Sequence, residues 1–426
     1  MAENKPKSGG RNVILRFIVS SDIHISEAND RQCERYEHMM QAAYCYAHSQ
    51  PHNTLDAAVL VGDLTNRGQA DQYEAVKELV NHTTLPETEM IIVHGNHDCY
   101  ETNDDSVYRE HFDSEVNKHV VVNGYHFVGI APDIHDEKYS PDVLDWLSRE
   151  VEKAAEDGPD KPIFTFQHQH LRHTVYTSES WYTGQTQTFM EIFSRYPQVI
   201  NFSGHSHAPV NIPTSVWQEG FTAIGTGTLH YLEMEEDTSD DTVPKFANDY
   251  PQFWIVEVDE DNRVTASPFD LDTDDFFKKP FSDENYVIGI DTPAGADAFR
   301  YTAKRFDENT AEPVFPDNAA ITFEDPTDTA VTAKAPQAYD RDYVYRYEIV
   351  FDDGSDGKKI VTYYGEYYMD PVPPVTYFRA EGLTPDTAYR VSLTPENVWG
   401  RRGRTLHAEF TTLPVSDGQS DGGKDA

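Results

Sequence analysis

Basic residues are scarce in this 426-residue chain, which has 34 lysines and arginines against 74 aspartates and glutamates and a formal net charge of −40. A surface with such an excess of carboxylates repels phosphate backbones and anionic lipid headgroups. We therefore expect neither nucleic acid nor an anionic membrane surface among its general partners.

Cysteine and long apolar runs are scarce as well. The three cysteines, Cys33, Cys45 and Cys99, are too few for a disulfide framework. No run approaches the roughly 18 apolar residues that a membrane-spanning helix needs, so we expect no membrane span. The first ten residues contain no apolar h-region of a signal peptide, which predicts a cytoplasmic protein and leaves export as the alternative.

The chain has instead a series of polar clusters, each placed after a short apolar run rich in β-branched or aromatic residues. Such runs, bounded by turn residues, are typical of buried strands. They cover residues 16–20, 57–61, 90–93, 162–166 and 199–202. The clusters contain Asp22, His24, Asp63, Asn96, His168, His205 and His207. Open α/β sheets place their sites at such strand ends.

These seven side chains suit a transition-metal site. Two carboxylates, one amide oxygen and four imidazoles, with no thiolate, favour Mn, Fe, Zn, Co or Ni over Ca or a structural zinc cage. Seven ligands are too many for one tetrahedral ion, but they suffice for two ions if one carboxylate bridges. Two ions about 4 Å apart can clamp a transferring phosphoryl group.

The ordered set Asp-x-His, Gly-Asp, Gly-Asn-His-Asp, His and Gly-His-x-His resembles the calcineurin-like metallophosphoesterase superfamily over about residues 12–270. The resemblance implies an α/β fold of two packed mixed β-sheets flanked by helices. It also implies two divalent transition ions, with Mn and Fe favoured, and hydrolysis of a small-molecule phosphate ester. The first ion would be bound by Asp22, His24 and His207, the second by Asn96, His168 and His205, and Asp63 would bridge them.

Further roles follow from the same resemblance. His97 would stabilise charge or protonate the leaving oxygen, and Asp98 stands beside it in the catalytic motif. Arg67 occupies the position of a phosphate-clamping arginine, although pairing with a nearby carboxylate is an equally good interpretation. His170, two residues past His168, is the alternative ligand of the second ion. His230 also follows an apolar run, and we expect it not to contact the ions.

One departure from the superfamily bears on the substrate. In the phosphoprotein-phosphatase branch, position 66 is an aspartate that orients the catalytic histidine, whereas Asn66 carries no charge and would hold a protonated His97 less well. We therefore expect a phosphodiesterase that acts on a cyclic nucleotide or a similar small molecule. The alternatives are a phosphomonoesterase or nucleotidase and, from another class, a non-catalytic binding or scaffold protein.

Periodicity predicts the remaining organisation. Apolar residues at helical spacing predict helices at 31–49, from Ser140-Pro141 onward, and at 186–196. Beyond an acidic connector at 271–312, residues 313–414 alternate as strands do, and Leu383 to Tyr389 resembles the tyrosine corner of fibronectin type III domains. We thus expect a flexible segment at 1–11, a catalytic domain at 12–270, a C-terminal all-β sandwich and a disordered tail at 415–426. Whether the sandwich binds a protein or a polysaccharide is open.

Overall fold

The computed structural model describes residues 12–132, 138–235, 242–355 and 358–415. They form two compact units, which divide between Asp307 and Glu308. Our predictions for residues 1–11 and 416–426 lie outside the described residues. Among the residues that the structure describes, every helix is too short or too polar to cross a membrane.

The first unit alternates strands and helices along much of its length. Its strands are β1 Val13–Ser20, β2 Ala57–Val61, β3 Glu89–Val93, β4 Lys118–Val122, β5 Tyr125–Gly129, β6 Ile163–Phe166, β7 Val199–Ser203, β8 Val216–Gln218, β9 Thr222–Gly225, β10 Gln252–Asp259, β11 Val264–Asp270, β12 Asp275–Phe276 and β13 Ile288–Ile290. Its helices are α1 Arg31–His48, α2 Ala70–Thr83, α3 Ser106–His111, α4 Pro141–Asp157 and α5 Thr186–Phe193, with α6 Arg305–Glu308 at the boundary of the unit.

These strands form two mixed sheets, which confirms the predicted fold class. One has the order β12-β11-β10-β1-β2-β3, with β13 paired to β11, and the other has the order β4-β5-β6-β7-β9-β8. Parallel pairing joins β1 to β2 to β3 in one sheet and β5 to β6 to β7 to β9 in the other. The segment 271–307, which we predicted as part of a connector, contributes β12 and β13 to the first sheet.

The two sheets pack face to face through an aromatic core. Phe17 on β1 meets Phe127 on β5 and Phe164 on β6, with ring centroids 5.0 and 4.6 Å apart in edge-to-face contacts. The outer face of one sheet buries α1 and α2, and the outer face of the other buries α4 and α5. The unit therefore has four layers, and its parallel strands end together at one edge of each sheet.

Local sequence signals explain the helix ends and the hairpin. Asp30 caps α1 by accepting a hydrogen bond from Cys33 N at 2.9 Å, and Ser140 caps α4, which has Pro141 in its first turn. Asn123 and Gly124 both have positive φ, as the tight turn between β4 and β5 requires. The three predicted helices are confirmed, although α5 ends three residues earlier than predicted.

The second unit is the predicted all-β sandwich. Its strands are β14 Thr322–Glu324, β15 Ala330–Pro336, β16 Val344–Asp352, β17 Lys359–Tyr364, β18 Val375–Glu381, β19 Ala388–Asn397 and β20 Leu406–Thr411. They form antiparallel sheets of order β14-β15-β18 and β17-β16-β19-β20. The Tyr389 hydroxyl accepts a hydrogen bond from Thr384 N at 2.8 Å, which is the bond that defines a tyrosine corner.

A buried ion pair ties β1 to β10 in the first unit. Arg16 is 1% exposed, and its Nε donates to Glu257 Oε1 at 2.8 Å. The same guanidinium donates to the carbonyl oxygens of His52 and Thr54, which precede β2. Since β1 leads directly to Asp22, this network anchors the strand that carries the first polar cluster.

We expect Arg16→Met to lower the free energy of unfolding by about 3–5 kcal/mol, because it leaves the Glu257 carboxylate buried without a counter-charge and with only the Tyr46 hydroxyl bonded to Oε1. The double variant Arg16→Met/Glu257→Gln should recover most of that loss, since no uncompensated charge remains. Urea unfolding followed by tryptophan fluorescence measures both effects, and equal losses in the single and double variants would contradict this account.

Candidate metal centre

The loops after β1 and β2 interlock through their backbones. Asp22 N donates to Gly62 O at 3.0 Å, and His24 N donates to Asp63 O at 3.0 Å. Asp22, His24 and Asp63 have φ values of 53°, 55° and 52° in the left-handed region. Each such residue costs on the order of 1–3 kcal/mol and persists where the surrounding structure enforces it, commonly at functional sites.

The candidate metal ligands after β7 have the same strained backbone conformation. His205 has a φ of 73° and His207 a φ of 54°. The backbone N of His205 donates to Asp22 Oδ2 at 3.1 Å, so the loop after β7 is bound to the loop after β1. Hydrogen bonds between loops therefore hold candidate metal ligands from both sheets close together.

Two glycines allow this close approach. Gly62 has a φ of +86°, and a Cβ there would collide with the ring of His168 and lie 2.9 Å from Gly95 N. A Cβ on Gly95 would collide with the Asp63 carboxylate and lie 2.6 Å from Asp63 N. Both motif glycines are thus required by the space that the candidate ligands occupy.

Asp22, His24 and His207 form one group, which we call the Asp22 cluster. His207 Nε2 lies 3.3 Å from Asp22 Oδ1 and 3.0 Å from His24 Nε2. His207 Nδ1 donates to Tyr231 O at 2.9 Å, which directs the other ring nitrogen into the cluster.

We call Asn96, His168 and His205, the ligands that the resemblance implied for the second ion, the Asn96 cluster. His168 Nδ1 donates to Val61 O at 2.8 Å and so points Nε2 inward, and the His168 and His205 ring centroids are 5.0 Å apart. Asn96 Nδ2 donates to the Tyr100 hydroxyl at 2.7 Å. Asp63, His168 and His205 each offer a ligand atom, and these atoms lie within 4.8 Å of one another.

Asp63 faces both clusters with the same oxygen. Its Oδ2 lies 3.8 Å from His24 Nε2 in the Asp22 cluster and 3.1 Å from His168 Nε2 in the Asn96 cluster. Its Oδ1 accepts a hydrogen bond from His97 N at 3.0 Å, which holds the carboxylate in place. This is the placement that a bridging ligand requires.

The buried carboxylates of the site are stabilised by positive charge close to them. Burial alone would raise the pKa values of Asp22 and Asp63, but the rings of His207 and His168 outweigh burial and hold both pKa values well below the usual range. Burial opposes charge on His168 too, yet the carboxylates of Asp63 and Asp22 raise its pKa to about 10. Two buried carboxylates thus stay ionised and attract whatever cation the site can hold.

Three atoms at the centre test whether divalent ions fit. Asn96 Oδ1 is buried and has no hydrogen-bond partner, while Asp22 Oδ1 and His168 Nε2 lie against other candidate ligands, His207 Nε2 at 3.3 Å and Asp63 Oδ2 at 3.1 Å. Buried polar atoms are nearly always satisfied, so the Asn96 oxygen needs an explanation. An oxygen and nitrogen donor set of this kind suits a first-row transition ion, and a bound ion would satisfy that oxygen.

The structure distinguishes His168 from His170. His170 Nδ1 lies 2.7 Å from Ser203 Oγ, and its Nε2 lies 2.6 Å from Ser206 Oγ. Burial and the nearby His205 lower the His170 pKa to about 3, so the ring is neutral. With both ring nitrogens engaged, His170 braces the loop after β7, and His168 has the nitrogen that is available to an ion.

His97 is oriented differently from our prediction. Its Nδ1 lies 3.0 Å from the backbone carbonyl oxygen of Asn66, so the orienting group is a main-chain oxygen rather than the side chain at position 66. The His97 ring packs edge-on against His24, with centroids 4.5 Å apart. Loss of a carboxylate at position 66 therefore changes the hold on His97 less than we predicted.

Asp98, which we predicted among the catalytic residues, faces backbone N–H groups of two neighbouring loops. It is 1% exposed, and its carboxylate accepts hydrogen bonds from Leu64 N at 3.2 Å, Thr65 N at 2.8 Å and Gly95 N at 2.8 Å. Burial and the charge of Asp63 raise its pKa to about 6. Asp98 thereby joins the loop after β2 to the loop after β3.

Arg67 pairs with a carboxylate, which was one of its two interpretations. Its side chain is 59% exposed, and its Nε lies 3.9 Å from Glu101 Oε2. Arg172 beyond His168 likewise lies 3.2 Å from Glu179 Oε2. Both arginines are thus partly neutralised by neighbouring glutamates.

The structure adds residues that the sequence argument missed or set aside. His230 offers a ring nitrogen within 4.8 Å of ligand atoms of His24 and His207, and burial lowers its pKa to about 4. His230 is a polar residue shortly after a strand, β9, which is the same pattern that marked the other candidate ligands. Trp181 packs edge-on against His205 with centroids 5.2 Å apart, and no periodic pattern marks its loop.

Comparison with known proteins agrees with this geometry. The sequence profile of the calcineurin-like phosphoesterases matches residues 15–209. A probable glycerophosphodiester phosphodiesterase of Arcobacter nitrofigilis is 23% identical over 217 residues, which are 47% of this chain and 74% of that protein.

Two solved structures superpose on different parts of the chain. The purple acid phosphatase from yellow lupin (Lupinus luteus) seeds superposes with a TM-score of 0.46 at 12% identity, over 64% of this chain and 54% of that one. The chain thus spans about half the length of the lupin phosphatase. The fn3 domain of human contactin 1 superposes with a TM-score of 0.21 at 18% identity, over 26% of this chain and 89% of that domain.

Exchanging each of the two neighbouring histidines for glutamine separates their roles. His168→Gln should lower the manganese bound per chain by about one ion, because it removes a ring nitrogen from the Asn96 cluster. His170→Gln should keep the manganese content, since glutamine can still bond to serine hydroxyls. Elemental analysis after dialysis measures both, and loss of manganese only in the His170 variant would reverse the assignment.

Proposed function

We propose that this chain, whose residues 15–209 match the calcineurin-like phosphoesterases, is a metal-dependent hydrolase of small-molecule phosphodiesters. The observation that carries the proposal is the position of Asp63, whose Oδ2 faces His24 on one side and His168 on the other. In addition, the buried Asn96 Oδ1 lacks a hydrogen-bond partner.

The proposed ligand set has two halves. The Asp22 cluster would hold one divalent ion, the Asn96 cluster would hold the other, and Asp63 would contact both. The chemistry that two such ions supply is Lewis acidity, which activates water near neutral pH and neutralises the phosphoryl oxygens. Manganese or iron suits these donors best among the candidates.

The chain's own residues orient the reaction. His97 would donate a proton to the leaving oxygen from Nε2, because its Nδ1 is engaged by Asn66 O at 3.0 Å. The bond from His97 N to Asp63 Oδ1 fixes that ring relative to the proposed bridge. Trp181 beside His205 and His230 beside His24 would line the approach of the ester groups.

Charge favours a diester over a monoester. A monoester brings two negative charges near neutral pH and a diester one, so a monoester needs more cationic groups around the phosphoryl oxygens. Arg67 and Arg172 lie against Glu101 and Glu179 respectively, which weakens them as phosphate clamps. The Arcobacter nitrofigilis relative, named a probable glycerophosphodiester phosphodiesterase, supports the same choice.

Two variants test the assigned roles. Asp63→Asn should remove more activity than His97→Ala and should reduce metal binding, because the carboxylate would contact both ions. His97→Ala should keep both ions and lose roughly 100-fold or more in kcat, as the loss of a general acid predicts. A His97→Ala protein that loses a metal ion would show that His97 is a ligand.

The substrate class is tested by comparing bis-(4-nitrophenyl) phosphate with 4-nitrophenyl phosphate in the presence of Mn²⁺. We expect a kcat/KM at least roughly tenfold higher for the diester, which corresponds to about 1.4 kcal/mol in transition-state binding. A preference for the monoester would indicate a phosphatase. Turnover of neither ester by protein that holds two ions would favour a binding or scaffold protein.

A further inference from the structure

Tyr100 joins a proposed metal ligand to the proposed proton donor. Its hydroxyl accepts a hydrogen bond from Asn96 Nδ2 at 2.7 Å. Its ring lies against the ring of His97, with centroids 4.3 Å apart and planes inclined by 39°. Tyr100 directly follows the motif Gly95-Asn96-His97-Asp98-Cys99, and neither the motif nor the strand pattern singled it out.

The local backbone explains why Tyr100 reaches Asn96. A short 3₁₀-helix runs over His97–Cys99, and Cys99 N donates to Asn96 O at 3.1 Å. One tight helical turn therefore separates Asn96 from Tyr100, and their side chains meet across it in the hydrogen bond described above. The tyrosine is 48% exposed, so it sits at the edge of the site while its hydroxyl reaches inward to the buried amide.

The amide of Asn96 needs such a partner. A carboxylate offers oxygen on both branches, but an asparagine binds a cation through one oxygen and repels it with its NH₂ group. Here the NH₂ group is held by the Tyr100 hydroxyl, and Oδ1 is left buried without a hydrogen-bond partner. Rotation of the amide by half a turn would bring the NH₂ group to the place of that oxygen.

We propose that Tyr100 is a positioning residue that sets the Asn96 amide with its oxygen toward the ion of the Asn96 cluster, and that its ring restrains His97. The inference rests on the proposed function, because it assumes that this cluster binds a divalent ion. The hydroxyl acts on metal affinity and the ring on proton transfer, so the two effects are separable by substitution.

Tyr100→Phe keeps the ring and removes the hydroxyl. In Mn²⁺ titrations of the full chain, we expect one of the two ions to bind roughly 10–100-fold more weakly and the other to be unchanged, as loss of an outer hydrogen bond to a ligand predicts. Excess Mn²⁺ should restore kcat on bis-(4-nitrophenyl) phosphate. Tyr100→Leu should lose the same affinity and keep a lowered kcat at saturating Mn²⁺, because His97 has lost its packing partner.

The same substitution in an Asn96→Asp protein tests whether Tyr100 acts by orienting the Asn96 amide. Asn96→Asp has oxygen on both branches of its side chain, so its ligand atom needs no orientation. Tyr100→Phe should therefore weaken Mn²⁺ binding in the native background and have little further effect in the Asn96→Asp background. Tyr182→Phe is the matched control, because it removes the hydroxyl of another exposed tyrosine, whose ring stacks on Arg172.

The outcomes distinguish failure of the proposed function from failure of the proposed role of Tyr100. Native protein that binds no Mn²⁺ overturns the proposed function. Native protein with two ions and Tyr100→Phe with the same two affinities overturns the role of Tyr100 alone. Equal weakening by Tyr100→Phe in both backgrounds, or by Tyr182→Phe as well, also overturns it. Melting of the metal-free variants shows whether any change in affinity follows from a damaged fold.

Discussion

The site depends on the burial of two ionised carboxylates, Asp22 and Asp63, at the meeting point of two sheets. Each is nearly inaccessible to solvent, and neighbouring imidazoles hold both pKa values low. A pair of buried like charges is unstable unless cations lie between and around them. Protons on His168 and His207, whose pKa values are raised, supply positive charge there. A divalent ion offers the same charge with directed bonds, and binding would release those protons.

The rest of the first unit holds these charges in place. The parallel strands β1, β2 and β3 end at the same edge of their sheet. The loops that follow them are joined by main-chain hydrogen bonds and by Asp98. Left-handed backbone at Asp22, Asp63 and His205 is a further local cost that the packed sheets must offset. Rigid strands beneath strained loops fix the ligand atoms more closely than loops alone could.

Much of this arrangement could be predicted from the sequence, because the strand ends and the residues that follow them are local features. The apolar runs before Asp22, Asp63 and His168 predicted the strands, and they predicted that the polar residues lie at the ends of those strands. The tyrosine corner at Tyr389 was predictable for the same reason, since its hydrogen bond spans five residues.

What could not be predicted depends on which atoms tertiary packing brings together. The sequence cannot tell that Asn66 orients His97 through its carbonyl oxygen, because every residue has that group. It cannot tell that both nitrogens of His170 are bonded to serines from another strand and loop, or that Asp98 faces backbone N–H groups. Tyr100 was missed because its contact with Asn96 follows from no pattern of its own, and the position of His230 beside His24 depends on tertiary packing rather than on the strand that precedes it.

Anomalous X-ray scattering from crystals grown with Mn²⁺ tests the central claim most directly, because it locates ions without reference to activity. The account predicts two manganese peaks, one bounded by Asp22, His24 and His207 and the other by Asn96, His168 and His205. Asp63 Oδ2 should lie between the two peaks and contact both ions. A single peak, a peak liganded by His170, or an Asp63 carboxylate that contacts neither ion would contradict it.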